Sequence, residues 1–209
     1  GDIRALNPQS RIPTPNLDAL AASGMVFHDA HSPSAVCTPT RYGLLTGRYC
    51  FRTRLKRGVL DGYSPPLIDQ GEATIASVLR EHQYTTAIVG KWHLGLEFVR
   101  NQDRRSIEYQ QPIRHGPNQL GFQSSYIIPA SLDFPPYVYL RDGVVTEPAV
   151  DQQPAQPFPA FLRAGPRSRA LIMEDCLDHL TDQSVQFIRQ QSAQSTPFFL
   201  YFALTAPHK

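Results

Sequence analysis

The sequence predicts an α/β fold in which helices pack in layers against a largely parallel central sheet. Segments with helical spacing are followed three times by an apolar, strand-like stretch, and this alternation is typical of parallel sheets. The chain has 209 residues, of which 41% are hydrophobic, which is enough to bury a core. We expect it to be incomplete at both ends, because it begins at Gly1 without a methionine and stops at Lys209 directly after an apolar run.

The first helix is predicted over residues 13–24. Pro15 suits its first turn and Gly24 its end, and the apolar stretch at 25–30 predicts a strand after it. The next helix is predicted further along, in a short run that begins at Cys37.

Two further helix–strand pairs follow. A helix over 73–82 precedes a buried strand at 85–90, and a helix over 181–191 precedes a strand at 198–204. The apolar residues expected to face the core are Ile75, Val78 and Leu79 in the first helix, and Val185, Phe187 and Ile188 in the second.

Residues 100–170 differ in character from the rest, with many prolines and glutamines and few periodic stretches. We predict long ordered loops inserted into the domain over about this range, with a short hairpin at Asp142-Gly143. Loops of this length in a compact domain are usually functional or disordered.

Composition excludes several classes of function. The formal net charge of +2 is too small to indicate binding to nucleic acid or to a membrane surface. No window approaches the roughly 20 apolar residues that span a bilayer. Three cysteines form no disulfide framework, and Cys50 and Cys176 either pair or stay free. A metal site at His28 and His31 lacks supporting Cys or carboxylate residues at a useful spacing.

The run from Cys37 to Arg48 predicts a short helix with a reactive group at its start. Thr38 is predicted to cap it, Pro39 suits its first turn, and Gly47 suits the residue after its end. The first turn would present unpaired N–H groups and a partial positive charge, which favour a bound sulfate or phosphate. The alternative is a buried structural cysteine beside a helix.

Basic side chains follow the carboxyl ends of two predicted strands, where ligands bind in open α/β sheets. Lys91 and His93 come directly after the strand at 85–90, and in an extended chain both cations would point the same way. His208 follows the strand at 198–204. The alternative for the first pair is a surface lysine and a histidine hydrogen-bonded in a turn.

Four motifs resemble those of the type I, formylglycine-dependent sulfatases, which are arylsulfatase-like members of the alkaline phosphatase superfamily. Cys37-Thr-Pro-Thr-Arg41 resembles their C-x-P-x-R core, and Gly90-Lys-Trp-His-Leu-Gly95 resembles G-K-W-H-x-G. Pro207-His208 and Ile128-Pro-Ala-Ser-Leu-Asp133 match a Pro-His pair and an I-P-x-S-x-D loop. The resemblance implies that residues 1–209 are the N-terminal portion of one sulfatase catalytic domain with an alkaline-phosphatase-like α/β/α fold.

The resemblance also implies roles for residues and a cofactor. Cys37 would be oxidised to formylglycine by a formylglycine-generating or anaerobic sulfatase-maturing enzyme. Its hydrate would attack sulfur and ligate a divalent cation, usually calcium, whose other ligands lie outside this chain. Catalytic roles would fall to Cys37, Arg41, Lys91, His93 and His208, and substrate-binding roles to Ser131, Lys91 and His208. The resemblance places such enzymes in the periplasm, outside the cell or in lysosomes.

The expected substrate is a sulfated carbohydrate, with loops of residues 100–170 setting specificity. The basic residues Arg52, Arg54, Lys56 and Arg57 either meet a polyanionic substrate or form a solvated face. Two other classes of function stay open: a phosphomonoester or phosphonate hydrolase of the same superfamily, and a non-catalytic protein that binds sulfated glycans.

Overall fold

The structure, a computed structural model, describes residues 2–103 and 106–208. The chain divides into two compact units, Gly1–Ser32 and Pro33–Lys209. Across the described residues, no helix is both long enough and apolar enough to cross a membrane.

The first unit contains helix α1, Pro15–Ser23, which confirms the predicted helix with proline in its first turn. Asp18 Oδ1 accepts hydrogen bonds from Ala5 N and Thr14 Oγ1, so the preceding loop is tied to the helix start. The predicted strand at 25–30 is wrong, because the structure has no strand at these residues. A strand needs a hydrogen-bonded neighbour, and no described residue of this unit forms one; Met25 and Phe27 are exposed.

The second unit is built on a five-stranded sheet with three helices and a separate two-stranded hairpin. In chain order its elements are α2 Cys37–Thr46, α3 Ile75–Glu81, β1 Thr85–Lys91, β2 Ser124–Ile128, β3 Leu140–Arg141, β4 Val144–Val145, β5 Asp151–Gln153, β6 Gly165–Arg167, α4 Cys176–Ser192 and β7 Phe198–Ala203. Short 3-10 helices lie at Cys50–Arg52 and Pro117–Leu120.

The sheet has the strand order β4-β3-β2-β1-β7. Strand β1 runs parallel to β2, with Lys91 opposite Ile128, and parallel to β7, with Gly90 opposite Ala203. Strands β3 and β4 add an antiparallel hairpin at one side. The carboxyl ends of the three parallel strands therefore share one edge of the sheet.

Helices cover both faces of this sheet, which confirms the predicted α/β/α class. Ile88 belongs to the buried cluster that contains Leu45 of α2 and Ala76 of α3, whereas the next residue, Val89, belongs to the cluster that contains Leu180 of α4. Successive side chains of a strand point to opposite faces, so β1 anchors both layers of helices.

The predicted buried faces of two helices are wrong in part. In α3, Ile75 and Val78 are exposed and Ala76 is buried, and in α4 the buried residues are Cys176, Leu180 and Ser184. Val185 and Ile188 are exposed, and only Phe187 of the predicted set packs inward, with its ring 5.6 Å from that of Phe198. Residues 176, 180 and 184 recur every four positions and so share one face of the helix.

Residues 100–170 hold more regular structure than predicted, because they contribute strands β2 to β6. Strand β2 is buried along nearly its whole length and therefore lacks the alternation that marks a half-buried strand. The hairpin at Asp142-Gly143 is confirmed, and both turn residues have positive φ angles, 49° and 84°. Cys50 and Cys176 are free and buried.

Candidate active site

Helix α2 begins at Cys37, which is half-buried. Thr40 N donates the first helical hydrogen bond, to Val36 O, and Pro39 has no N–H to donate. The N–H groups of Cys37 and Thr38 therefore have no acceptor within the helix. Gly47 ends the helix with a φ of 68°, as predicted.

Thr38 does not cap the helix, which corrects the prediction. It is the second helical residue, and Val36 occupies the N-cap position. The buried Thr38 Oγ1 donates to His93 O at 2.9 Å and accepts from Leu60 N at 3.2 Å. This hydroxyl joins α2 to the segment after β1 and to the loop at residue 60.

Two cationic side chains lie at Cys37, of which Lys91 is buried and Arg41 is half-buried. Lys91 is only 2% exposed, and its Nζ donates to Cys37 Sγ at 3.2 Å. Arg41, one turn along α2, donates through Nη1 to Lys91 O and to the Tyr201 hydroxyl at 3.4 Å, while its buried Nε has no hydrogen-bond partner among the described residues. Burial lowers the pKa of both side chains, and the two cations repel each other. Position 37 therefore faces concentrated positive charge.

His93 departs from the sequence prediction. Its φ is 57°, so the chain turns there and does not stay extended. Burial, reinforced by the charge of Lys91, lowers the pKa of His93 to about 4, so the ring is neutral near pH 7. Its Nε2 lies 2.6 Å from Leu60 O, which can only accept, so Nε2 carries the proton. The buried Nδ1 has no partner among the described residues and is left as an acceptor.

Ser131 lies on the loop after β2 and is buried. Its hydroxyl hydrogen-bonds to Asp133, whose Oδ2 lies 2.5 Å from Arg163 Nη1. Burial acts to raise the pKa of Asp133, but the hydrogen bonds from Ser131 and Arg163 outweigh it and hold that pKa below its usual value. The Arg163 guanidinium also lies 3.8 Å from the centre of the Phe134 ring, which packs 5.6 Å from the His93 ring.

Asp133, Phe134 and Arg163 were not predicted as site residues. Asp133 ends the I-P-x-S-x-D motif, so its position in that loop was an available signal. Arg163 lies 30 residues further along in a stretch predicted as loop, and only the fold brings it to Asp133.

His208 follows β7 at the same edge of the sheet and is exposed. It borders a cavity of about 420 Å³ that Leu132 and Glu174 also line. The parallel strands thus bring Lys91, His93, Ser131 and His208 to one edge of the sheet. Of these four residues, Lys91 contacts Cys37 directly.

The described residues do not form a metal site. No three His, Cys, Asp or Glu side chains among residues 2–103 and 106–208 lie close enough together to hold an ion. The side chains that face Cys37 are cations, and calcium needs six to eight oxygen ligands. The described residues therefore do not by themselves provide a ligand set that fits calcium. His31 is exposed and pairs with Asp29 at 2.6 Å.

The basic residues 52–57 follow the opposite end of α2 from Cys37. Lys56 Nζ donates to Phe51 O at 2.9 Å, and Arg54 Nη2 donates to Pro66 O at 3.1 Å. Two of these four cations are thus hydrogen-bonded to local backbone, which favours the solvated face over a substrate contact.

A layered α/β fold that places a helix start, a cysteine and two cationic side chains at one sheet edge forms a site suited to an anion. The family model described as Sulfatase matches residues 3–209. The chain belongs to the Sulfatase family.

Several characterised relatives carry sulfatase names. The N-acetylgalactosamine-6-O-sulfatase of Bacteroides thetaiotaomicron is 37% identical over 136 residues, which are 65% of this chain and 25% of that protein. Arylsulfatase G of Mus musculus is 31% identical over 93% of this chain and 36% of its own. N-acetylgalactosamine-6-sulfatase of Rattus norvegicus is 32% identical over 100% of this chain and 37% of its own. The chain thus spans between a quarter and about two fifths of these relatives.

Solved structures have the same fold. A Bacteroides thetaiotaomicron protein from work on the metabolism of multiple glycosaminoglycans superposes with a TM-score of 0.76 at 30% identity, covering 93% of this chain and 46% of that one. A sulfatase from Pseudoalteromonas sp. superposes with a TM-score of 0.63 at 22% identity, covering 94% and 39%, and supports the fold alone.

Proposed function

We propose that the protein containing this chain hydrolyses sulfate monoesters on a sulfated carbohydrate, through a formylglycine formed from Cys37. The observation that carries this proposal is the placement of Cys37 at the start of α2, with Lys91 Nζ 3.2 Å from its sulfur and Arg41 beside it. Membership of the Sulfatase family supports it.

The formylglycine hydrate supplies two hydroxyl groups on one carbon, one to attack sulfur and one to expel sulfate as the aldehyde re-forms. Around that position, Lys91 and Arg41 stabilise the negative charge of the transferring sulfate group. Lys91 is buried, Arg41 is half-buried, and both are held by hydrogen bonds before substrate arrives. Pre-positioned charge of this kind is usually the largest contribution to catalysis. His208 is proposed to bind the sulfate group from the end of β7.

The hydrogen bonds divide two roles between Lys91 and His93. Neutral His93 donates through Nε2 to Leu60 O and presents only the acceptor Nδ1, so it is not poised to give a proton. Lys91 carries protons on Nζ, and its lowered pKa makes release of one easier. We assign protonation of the leaving alcohol to Lys91 and orientation of a substrate hydroxyl to His93. Ser131, held by Asp133, is proposed as a further substrate contact.

We also propose that this chemistry uses a divalent cation, calcium in most of the family, whose ligands other than residue 37 lie outside this chain. The maturing partner would be a formylglycine-generating or anaerobic sulfatase-maturing enzyme. The protein would act in the periplasm, outside the cell or in lysosomes.

The proposed substrate class draws on the relatives. Two of those reported above are named as sulfatases of N-acetylgalactosamine 6-sulfate, so this sugar is the first substrate to test. The same proposal includes two further statements: residues 1–209 are part of one sulfatase catalytic domain, and loops of residues 100–170 contact the substrate.

The first test is the state of residue 37. The full-length protein should be produced with a formylglycine-generating enzyme and its peptides analysed by mass spectrometry. We expect an aldehyde at Cys37, with Cys50 and Cys176 in the same digest remaining thiols as internal controls. Thiol alone at Cys37 would contradict the proposal and favour a non-catalytic, glycan-binding protein.

The second test is sulfate release. The matured protein should free sulfate from N-acetylgalactosamine 6-sulfate over many turnovers. The Cys37→Ser variant should stop after one turnover, because a serine sulfate ester has no geminal hydroxyl to expel it. Faster release of phosphate from a matched phosphate ester would instead assign the protein to the phosphomonoester or phosphonate hydrolases.

A further inference from the structure

A second feature lies beside the candidate active site, and of its lining residues only His208 has a role in the chemistry above. It is the cavity of about 420 Å³ between the loop after β2 and the β5–β6 hairpin. Its volume lies within the range of small-molecule binding sites. All of its lining residues belong to the second unit.

The cavity shares its walls with the candidate active site. Leu132 lines it and lies between Ser131 and Asp133, while His208 stands at its border. Leu162 lines the facing wall and precedes Arg163, whose backbone N and Nη1 donate to Asp133 O at 3.3 and 3.1 Å. The Asp133–Arg163 ion pair therefore joins the two walls next to the proposed substrate serine.

The lining has the mixed character that a sugar ring requires. Leu132, Leu162 and Met173 offer an apolar surface for the C–H face of a pyranose. Polar side chains complete the lining with Arg167, Gln156, Glu174, Gln153 and His208.

The polar side of the cavity is partly fixed in advance. Arg167 Nη1 donates to Gln153 Oε1 at 3.2 Å, and Gln153 is buried with its amide Nε2 bonded to Pro154 O. Amide, guanidinium and carboxylate groups can donate to and accept from several hydroxyls at once. A side chain fixed before binding loses less entropy when the ligand arrives.

We propose that this cavity binds the pyranose ring that is linked to the sulfated sugar, so that the protein recognises two adjacent units of a polysaccharide. This inference rests on the proposed function for the position of the sulfated sugar. Arg167 and the wall around Ala160 then determine affinity for the second ring and take no part in sulfate transfer.

The test compares two tryptophan variants in the full-length, matured protein. Ala160 lines the cavity, so Ala160→Trp should fill it, whereas Ala155→Trp adds the same side chain at an exposed position of the same hairpin loop. Substrates are N-acetylgalactosamine 6-sulfate and a chondroitin 6-sulfate trisaccharide with that sugar at its non-reducing end. Calorimetry with the desulfated trisaccharide measures binding without catalysis, and Arg167→Met provides a second, milder change.

For Ala160→Trp we expect KM for the trisaccharide to rise about tenfold, the loss of one moderate contact, with kinetics on the monosaccharide unchanged. Binding of the desulfated trisaccharide should weaken similarly, and Ala155→Trp should match the parent. Equal effects on both substrates, or equal effects of both variants, would overturn the inference. If the parent protein releases no sulfate, the proposed function fails. The binding experiment still tests the cavity in that case. Loss of trisaccharide binding in Ala160→Trp, but not in Ala155→Trp, would support the cavity as a sugar site, and unchanged binding in Ala160→Trp would overturn it.

Discussion

Lys91 combines deep burial with a direct contact to the residue that begins α2. A buried ammonium group is costly, and its nearest charged neighbour on the helix, Arg41, has the same sign. An anion bound between Lys91 and Arg41 would offset the cost of burying these like charges close together.

This predicts the effect of removing Lys91. Lys91→Ala should lower sulfatase turnover by roughly 100-fold or more, comparable to losing one charge-stabilising donor, while the melting temperature is maintained. Lys56→Ala is the matched control, because the Lys56 side chain is exposed and its Nζ donates a hydrogen bond to the nearby Phe51 O. Steady-state kinetics and thermal unfolding should be measured together. Loss of activity with unfolding would indicate a structural role instead.

The lowered pKa of His93 predicts that the free energy of unfolding depends on pH. Its pKa falls from 6.5 to about 4 on folding, so the unfolded chain binds the proton more tightly. Stability is therefore fully present above pH 6.5 and is lost as the pH falls through 4, by about 3 kcal/mol in the free energy of unfolding.

The measurement is urea unfolding of the full-length protein between pH 7 and pH 4. His93→Gln should lose less free energy of unfolding across this window than the parent, and His82→Gln, at an exposed histidine, should follow the parent. Parallel curves for the parent and His93→Gln would contradict the assignment of a neutral, buried ring.

At the scale of elements, strand β1 depends on a glycine immediately before Lys91. Gly90 has a φ of 115°, and a Cβ there would lie 2.0 Å from Ala203 O in β7. Contact this close forces the two strands apart, in addition to the strain that the φ value imposes on any other residue.

Gly90→Ala should accordingly lower the free energy of unfolding by more than about 2 kcal/mol and reduce activity, because Lys91 moves with the strand. Gly71→Ala is the control. Its φ is 87°, but an added Cβ meets no atom within 4 Å, so only backbone strain of roughly 1 kcal/mol remains. Equal losses in the two variants, measured by chemical denaturation, would rule out the strand contact as the cause.

At the scale of the whole molecule, the order of the parallel strands assembles the site from distant parts of the chain. Lys91 at the end of β1 contacts Cys37, and Asp133 on the loop after the neighbouring strand β2 pairs with Arg163. The segment of residues 100–170 contributes both sheet strands and the loop that bears Arg163.

This arrangement predicts substrate preference. Sulfated mono- and oligosaccharides should be hydrolysed more efficiently than a simple aryl sulfate such as 4-nitrophenyl sulfate, because the cavity next to Ser131 has the polar lining residues Gln153, Gln156 and Arg167. Comparison of kcat/KM values for the full-length, matured protein provides the measurement. Efficient cleavage of the aryl ester with no sugar turned over would refute it.

Local sequence determined the elements whose signals are local. Pro39 and Gly47 bracket α2 through their own backbone preferences, and the apolar runs of β1 and β7 stand out without knowledge of their neighbours. The motifs at Cys37 and Lys91 likewise indicated the Sulfatase family.

Tertiary structure alone decided the properties that depend on distant contacts. Leu60 O sets the proton position of His93, burial reinforced by the charge of Lys91 keeps its ring neutral by lowering its pKa, and Arg163 reaches Asp133 across 30 residues. In α4, Cys176 and Leu180 are buried in a cluster with Tyr126 of β2 and Tyr139 just before β3, whereas the equally apolar Val185 and Ile188 are exposed. Burial and electrostatic environment are properties of the neighbours that folding supplies, so no local pattern contains them.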